Sequence, residues 1–169
     1  MYHVPNDKRS KSSAFRIYQS VRHILWEKEL INISILDIYH ESNIARTTFY
    51  RLFDNINDVL EYQLEIYFNE YMELRKNEND KILFFFNYFD MHSDLIYIIS
   101  TQCEHILYSV MNKIYDNSNE YLISIKIGIF TSLLCCWVKN KKKETPFEMS
   151  NITKKLLSSN NIINIITEI

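Results

Sequence analysis

Residues 34–53 read SILDIYHESNIARTTFYRLF, and this stretch predicts two short helices joined by a tight turn. Ser34 and Asp37 have the spacing of a capping box, in which both side chains accept hydrogen bonds from backbone N–H groups at the start of a helix. Asn43 supplies the turn, because asparagine adopts the left-handed backbone conformation more readily than most residues other than glycine. The segment therefore predicts a helix-turn-helix unit.

The second helix of this unit is expected to bury one face and expose the other. Phe49 and Phe53 are four residues apart, about one turn of helix, so they point inward together with Ile44. The outward face then consists of Arg46, Thr47, Tyr50 and Arg51. A polar and aromatic face on the second helix is typical of units that read the major groove of DNA.

With its flanking residues this segment resembles the amino-terminal domain of the TetR family of transcription regulators, over about residues 12 to 62. The Thr-Phe-Tyr-x-x-Phe core at 48–53, about ten residues after the Asp-Ile pair at 37–38, is its most specific part. The flanking positions that fit the family pattern are Ile17, Val21, Ile24, Leu25, Asp58, Val59 and Leu60. The resemblance implies an all-α chain: an amino-terminal three-helix DNA-binding domain at 1–60, then a helical effector-sensing and dimerisation domain at 61–169.

Several positions depart from the family pattern. The family usually has Gly where this chain has Glu29, Asn43 and Thr47. It usually has Ala at the position of Tyr39 and Ser at that of Ala45, and commonly Lys at that of Ile56. Tyr39 places a ring where the two helices normally approach closely. Ala45 removes an N-cap hydroxyl, which costs about 1 kcal/mol, and Ile56 removes an ammonium that could contact phosphate. These positions are expected to set the DNA affinity.

The resemblance also implies how DNA is held. A homodimer would place residues 46–53 of each subunit in successive major grooves of a palindromic operator, about 34 to 36 Å apart. Arg46 and Thr47 are candidates for base contacts, because arginine can bond guanine through two hydrogen bonds. The candidates for phosphate contacts are Ser34, Thr48, Tyr50 and Arg51. An effector that favours a different spread of the two recognition helices would release the DNA, and repression is the commoner outcome in the family.

The composition of the 169-residue chain favours helices throughout. The chain holds one Gly and two Pro, 47% of its residues are hydrophobic and 14% are aromatic. This supply of apolar surface excludes a disordered chain. A single Gly also excludes a glycine-rich phosphate loop, and the sequence shows no Ser-His-Asp or Cys-His pattern, so an enzyme is not expected.

The net charge of −2 is low for a protein that binds DNA. Residues 1–60 hold eight Lys or Arg against seven Asp or Glu, a charge of +1, so residues 61–169 carry −3. DNA binding would therefore depend on the local placement of cations. The run Lys8-Arg9-Ser10-Lys11 is interpreted either as a basic arm that contacts phosphate or as a solubilising disordered tail.

The sequence predicts a cytoplasmic protein without a membrane segment, because it has no signal-peptide pattern and no uninterrupted apolar run of membrane-spanning length. Three cysteines fit reduced thiols better than a disulfide framework. Cys135 and Cys136 are expected to be small core or interface residues, with a sensor of oxidants or soft metals as the alternative. No cofactor and no metal site is predicted, since no zinc spacing relates Asp90, His92, Cys103 and His105.

The apolar pattern after residue 56 predicts the remaining helices. A long helix from Ile56 to about Arg75 should link the two domains, followed by a polar break at 77–80. The further expected helices span 82–88, 95–115, 121–139 and 147–157, with breaks at 90–93 and 116–119. The start of the last helix is marked by an N-cap, a first-turn proline and a capping-box glutamate, which are Thr145, Pro146 and Glu148.

Residues 130–149 resemble a carboxy-terminal domain found in part of the TetR family, in which two helices pair with those of a second subunit as a four-helix bundle. Gly128 would suit a close backbone approach at that interface. The candidate dimer residues are Ile125, Gly128, Ile129, Ser132, Cys136, Ile152 and Leu156. In the alternative interpretation, residues 121–138 are the buried central helix of a monomer.

The resemblance places a small apolar effector between the linking helix and the sensor helices. The candidate lining residues are Phe85, Phe89, Tyr97 and Tyr108. Aromatic residues at helical spacing also suit an ordinary core, so both interpretations stay open. A second interpretation of the whole chain follows from Ala45 and Ile56: a co-regulator of the same fold that binds a ligand or partner protein without binding DNA by itself.

Overall fold

The computed structural model describes residues 1–92, 95, 104–114 and 119–158. Within these residues the regular elements are eight α-helices and one 3₁₀ turn, Leu30–Asn32, and no strand is formed. The helices are α1 (Lys8–Ile24), α2 (Ile35–Ser42), α3 (Arg46–Leu52), α4 (Ile56–Arg75), α5 (Lys81–Met91), α6 (Glu104–Ile114), α7 (Glu120–Lys139) and α8 (Pro146–Leu156). The prediction of an all-α chain is confirmed.

The amino-terminal region packs α1 against α2, α3 and α4. The apolar positions that suggested this packing are buried: Ile17 in α1, Ile38 in α2, Leu52 in α3 and Val59 in α4. Burying aliphatic side chains of this size contributes about 1.5 to 3 kcal/mol each. This core holds α3 at the surface of the three-helix unit.

The α4 helix continues into the second region, where it contacts α5 and α6, while α5 packs on α8 and α6 packs on α7. Phe86 and Trp137 are buried and meet edge to face, with ring centroids 5.6 Å apart. The indole N–H of Trp137 donates to the Glu144 carbonyl at 2.7 Å, so the connection between α7 and α8 is fixed to the end of α7. The N-cap of α8 is Thr145, with the expected capping box to Glu148.

Three boundaries differ from expectation or fall outside the described residues. The break expected at 90–93 begins late, because α5 continues to Met91 and His92 is its C-cap. Of the helix expected at 95–115, residues 104–114 are helical and 96–103 and 115 lie outside the described residues. Most of the loop expected at 116–119 and the chain after residue 158 also lie outside them.

The basic run Lys8-Arg9-Ser10-Lys11 forms the first turn of α1. Asp7 is the N-cap, and its carboxylate accepts a hydrogen bond from the Ser10 backbone N–H at 2.9 Å. Ser10 is buried while the three cations beside it are exposed. The disordered-tail interpretation is therefore wrong, and the cations lie on a capped helix.

The α7 helix is rich in apolar residues, and yet four of its 20 residues are buried. By length and composition alone α7 could cross a membrane, although its apolar sequence is interrupted by polar residues. Of its most apolar 18 residues, 22% are buried inside the protein. Its buried residues are Ile123, Ile127, Leu134 and Trp137, all on one side. This segment is therefore not buried on all sides, as the alternative of a buried central helix requires.

Candidate nucleic-acid interface

The start of α2 is fixed by the capping box that the sequence predicted. The Ser34 hydroxyl accepts from the Asp37 N–H at 3.2 Å, and the Asp37 carboxylate accepts from the Ser34 N–H at 2.8 Å. The Lys28 ammonium donates to Asp37 at 2.8 Å. This ammonium, with the Ser34 donors, holds the pKa of the Asp37 carboxyl well below its usual range. The cap therefore stays charged and attached to the residues before α2.

The turn between α2 and α3 has the geometry expected of Asn43, whose φ is 53° and ψ is 36°. Its N–H donates to the Tyr39 carbonyl at 3.0 Å. The residue before it is held twice: the Ser42 hydroxyl accepts from the Ile44 N–H at 3.2 Å, and the Arg16 guanidinium donates to the Ser42 carbonyl at 2.8 Å. Because Arg16 belongs to α1, the turn is clamped to the core helix.

The α3 helix exposes the face that the spacing predicted. Phe49 and Phe53 are buried, with ring centroids 6.0 Å apart, and Ile44 is buried before them. The exposed side chains are Arg46, Thr47, Tyr50 and Arg51. Ala45 is the N-cap and makes no side-chain hydrogen bond, which leaves the first N–H groups of α3 without a cap.

Arg46 and Tyr50 form a pair on this face. The Arg46 guanidinium lies over the Tyr50 ring at 5.5 Å from its centroid, and its Nη2 is 3.5 Å from the Tyr50 hydroxyl. The two residues are one turn apart, so the contact forms within α3 and needs no other element. Stacking on an aromatic face narrows the range of guanidinium positions before any ligand binds.

The other candidates for phosphate contacts differ in availability. The Ser34 hydroxyl donates its proton to Asp37 at 2.7 Å, so this side chain acts in the cap. Thr48 is half-buried, whereas Arg51 is exposed on the outer face of α3. The exposed cationic and aromatic candidates therefore lie on α3, whereas Ser34, which is also exposed, has its hydroxyl bonded within the cap of α2.

Tyr39 lies beside α3 and not between the helices. Its side chain is 42% exposed, and its ring is edge-on to His40 with centroids 5.3 Å apart. The close approach of α2 and α3 is thus preserved, because the ring turns toward solvent. The exposed side chains of Tyr39 and Leu36 enlarge the surface around the recognition helix. Both belong to α2, so the spacing of residues on α3 could not predict them. The open groove at this place is lined by Ser34, Ile35, Leu36, Tyr39, Arg46 and Tyr50.

A polar cluster connects the amino-terminal region to α6. The Tyr2 hydroxyl donates to Glu65 at 2.5 Å, and the Lys113 ammonium lies 2.8 Å from Glu61 and 3.5 Å from Glu65. The Ser109 hydroxyl donates to Glu61 at 2.9 Å. Burial, together with the hydrogen bond to Glu65, raises the pKa of Tyr2 above its usual range. No local sequence pattern predicts this cluster, because its residues lie far apart in the chain.

A cavity of about 190 Å³ lies among α4, α5, α6 and α7. Its lining residues are Phe68, Tyr71, Met72, Arg75, Lys81, Ile82, Phe85, Phe89, Leu107, Met111, Ile114, Lys126, Ile127, Phe130, Thr131 and Leu134. Phe85 and Phe89 thus lie on its wall, as the sequence analysis proposed. Tyr108 does not line it, since its hydroxyl is hydrogen-bonded to the Ser124 hydroxyl, and Tyr97 lies outside the described residues.

The α4 helix also contributes to this cavity, although none of its residues is among the lining residues predicted from the sequence. Phe68, Tyr71, Met72 and Arg75 follow the i, i+3, i+4, i+7 spacing of one helix face. Arg75 could have been identified from the sequence as a cation at the end of an otherwise apolar helix face.

The proposed dimer residues lie on the exposed sides of α7 and α8. Ile125 is 57% exposed, Ile152 is 41% exposed and Leu156 is 40% exposed. A Cβ atom added at Gly128 would meet nothing within 4 Å. Ser132 and Cys136 are exposed, and Ile129 is half-buried. Adjacent Cys135 is half-buried.

The metal interpretation gains no support in the part of the chain that the structure describes. Those residues contain no group of three or more His, Cys, Asp or Glu side chains that could hold a metal ion. His92 packs on the rings of Tyr67 and Tyr88, with centroids 5.0 and 4.6 Å away, so it belongs to an aromatic cluster. Cys103 lies outside the described residues.

No model of a known protein family matches the sequence, and no curated protein matches it either. Solved structures do match. A protein assigned to the TetR family of transcriptional regulators from Syntrophomonas wolfei is 21% identical, with 85% of this chain and 91% of that chain covered and a TM-score of 0.66. The fatty acid degradation regulator FadR from Bacillus halodurans is 12% identical, with 86% and 94% covered and a TM-score of 0.62.

A TetR transcriptional regulator from Streptococcus agalactiae is 17% identical, with 88% of this chain and 94% of that chain covered and a TM-score of 0.56. Each likeness extends over both regions of the molecule. The chain therefore has the fold of TetR-family regulators, with an amino-terminal helix-turn-helix followed by a helical domain. Function has to be argued from the surfaces that this fold presents.

Proposed function

We propose that this protein is a transcriptional regulator that binds a palindromic DNA operator as a homodimer and acts as a repressor that an effector releases. The observation that carries the proposal is the outer face of α3, where Arg46, Thr47, Tyr50 and Arg51 are exposed on a helix whose position is fixed by the clamped turn at Asn43. The TetR-family fold supports the same conclusion.

On this face Arg46 and Thr47 are assigned to base edges, since the first residues of a recognition helix reach deepest into the major groove. The Arg46 guanidinium stacks on the Tyr50 ring. The Tyr50 hydroxyl and the Arg51 guanidinium, farther along α3, are assigned to phosphates. Phosphate contacts set the register and most of the affinity, whereas base contacts set the sequence preference.

The homodimer is supported by the exposed apolar side of α7 and α8. Tyr121, Leu122 and Ile125 on α7, and Phe147 and Ile152 on α8, are exposed apolar side chains. Exposed apolar side chains on these two helices are a candidate interaction surface, because soluble proteins rarely leave large apolar patches uncovered. A two-fold pairing of α7 and α8 would cover the patch, and it would present two copies of α3 to symmetric half-sites.

The decisive experiment measures binding of the purified protein to a duplex from the region upstream of its own coding sequence, over a range of salt concentrations. We expect a steep loss of affinity as salt rises, because bound phosphates release counterions. Arg46→Ala should cost about 1 to 3 kcal/mol at one base position, whereas Tyr50→Phe should weaken binding to all duplexes alike.

Lys76→Ala provides the control, since this exposed cation follows the far end of α4, about 30 Å along that helix from its start at Ile56. It should leave the affinity and the salt slope unchanged. Absence of salt-sensitive binding would refute the proposal. An equal loss on every sequence with Arg46→Ala would remove this residue from base reading while leaving α3 as the binding surface.

The co-regulator without autonomous DNA binding is the second candidate, favoured by the missing side-chain cap at Ala45 and by Ile56, which packs against the core as a partly buried residue. The double variant Ala45→Ser with Ile56→Lys restores a cap hydroxyl and an ammonium. Duplex binding by this variant but not by the parent chain would favour the co-regulator. Comparable binding by both would favour the direct regulator.

A further inference from the structure

The cavity among α4 to α7 combines apolar walls with cations. Phe68, Phe85, Phe89 and Leu134 are buried side chains on its wall. Arg75, Lys81 and Lys126 line it as well, and none of the lining residues in the described chain is acidic. A cavity built only to complete an apolar core would not require cationic side chains at its boundary.

Arg75 is the most informative of the three. It is half-buried at the end of α4, and its guanidinium lies 6.0 Å from the centroid of the Tyr71 ring, which also lines the cavity. Its Nε is buried and has no hydrogen-bond partner within the described residues. A buried donor left unpaired costs about 1 to 3 kcal/mol. Such a group beside a cavity points to an acceptor that arrives with a ligand.

We propose that the cavity binds an anionic amphiphile, a small carboxylate with an apolar chain or ring, whose carboxylate is bound by Arg75 and Lys81 and whose apolar part lies against Phe85, Phe89 and Leu134. The cavity volume of about 190 Å³ suits this class. An apolar cavity of about 150 Å³ accommodates a benzene ring, so the apolar part should have roughly six to eight carbon atoms.

The geometry explains why a carboxylate is preferred to a neutral group. The guanidinium presents several donors in one plane, which matches the two oxygens of a carboxylate. Lys81 begins α5, so both cations stand near one end of the cavity wall formed by α4 and α5. Asp80, the acidic residue that precedes Lys81 in the chain, accepts from the Lys154 ammonium and is therefore already paired.

The role of this ligand as an effector rests on the proposed function, because an effector requires a regulator that binds DNA. The test of the site itself needs no DNA. The full-length protein is titrated in a calorimeter with three probes of equal chain length: octanoate, octan-1-ol and octylammonium. We expect octanoate to bind about tenfold to hundredfold more tightly than octan-1-ol, the range of one charge-assisted hydrogen bond, and octylammonium to bind most weakly.

Three variants assign the preference to the proposed residues. Arg75→Met keeps an apolar stem and removes the guanidinium, so it should abolish the preference for octanoate while octan-1-ol binds as before. Lys81→Met should reduce the preference by a smaller factor. Lys76→Met is the matched control, because Lys76 follows Arg75 in the chain but is exposed and paired with Glu73. It should change nothing.

Equal affinities for octanoate and octan-1-ol would overturn the proposal, as would tighter binding of octylammonium or no binding of any probe. Survival of the octanoate preference in a folded Arg75→Met variant, with its helix content checked by circular dichroism, would also overturn it. Failure of the proposed function would appear separately, as missing duplex binding by a protein that still distinguishes octanoate from octan-1-ol. Octanoate-induced loss of duplex binding would join the two proposals.

Discussion

The two regions of the molecule differ in how far their buried polar groups and apolar side chains find partners within a single chain. In the helix-turn-helix region the capping box of α2, the turn and the aromatic core are formed within the chain, whereas the start of α3 has no side-chain cap. In the second region Tyr121, Leu122 and Ile125 of α7 are exposed apolar side chains, and Arg75 has a buried donor without a partner in the described chain.

The contrast teaches where this protein depends on other molecules. A region whose core and turn are fixed by contacts within the chain should behave as a scaffold for its surface residues. A region with uncovered apolar surface and an unpaired buried donor gains stability when a partner or ligand binds, and it is therefore the region that other molecules can bias. The predictions below test this division.

The largest effect is expected from Phe49→Ala in the helix-turn-helix core. Phe49 is buried and contacts Phe53, so its truncation should reduce the free energy of unfolding by about 3 to 5 kcal/mol. Urea denaturation followed by circular dichroism measures the change. Thr47→Ala, two residues away on the exposed face, is the control and should shift the midpoint little. A small loss from Phe49→Ala would mean that the region is not the fixed scaffold described above.

The next effect concerns the second region, where Ile125→Glu places a charge on the exposed apolar side of α7. Burying this charge at a two-fold interface occurs twice per dimer, so dimerisation should weaken by at least about 2 kcal/mol, which sedimentation equilibrium measures. Leu74→Glu is the matched control, since Leu74 is 50% exposed against 57% for Ile125 but lies on α4. Equal masses for the parent chain and both variants would contradict the dimer assigned to α7 and α8.

Local sequence patterns predicted the first region well because its determinants are local. The Ser34–Asp37 box, the left-handed Asn43 and the Phe49–Phe53 spacing each depend on residues within one or two turns, and the structure has all of them. The box at Thr145 and Glu148 was predictable for the same reason.

The second region was predictable in its helices but not in its cavity. Whether an aromatic side chain faces the cavity depends on how α4 to α7 pack together, and helical spacing alone does not determine that. Tyr108 shows the difficulty, since it belongs to the helix that contributes Leu107 to the cavity but bonds Ser124 instead. Arg75 was overlooked because a cation on an apolar face is usually taken for a solvated helix end.

A medium effect is expected at the turn of the helix-turn-helix. Asn43 has a positive φ, and in that conformation alanine is disfavoured by about 1 to 2 kcal/mol. Asn43→Ala should lower the free energy of unfolding by about that amount and weaken duplex binding, because α3 would lose its fixed angle. Asn43→Gly should retain stability within a few tenths of a kcal/mol. Equal losses from both variants would show that the asparagine side chain, and not the backbone conformation, sets the turn.

A smaller effect, of opposite sign, is expected at the start of α3. Ala45→Ser supplies the cap hydroxyl that α3 lacks and should raise the free energy of unfolding by about 0.5 to 1 kcal/mol. Thermal unfolding at fixed protein concentration measures it, with Ala45→Val as the control, because valine adds no acceptor and is as poor an N-cap as alanine. No gain from the serine would imply that the N–H groups at the start of α3 are already satisfied by solvent.

The smallest effect is a pH dependence at the start of α2. The Lys28 ammonium and the Ser34 donors lower the pKa of Asp37 in the folded protein, so the folded state binds fewer protons here than the unfolded state. This stabilisation is present above the unfolded pKa, about 3.9, and is lost as pH falls below it. Asp37→Asn should reduce the acid sensitivity of unfolding in that window, whereas Asp90→Asn, at the end of α5, should leave any contribution from α2 intact. An unchanged pH slope in Asp37→Asn would show that solvent screens this exposed cap, and the rigidity of the first region would then rest on the buried aromatic core and the Arg16 clamp.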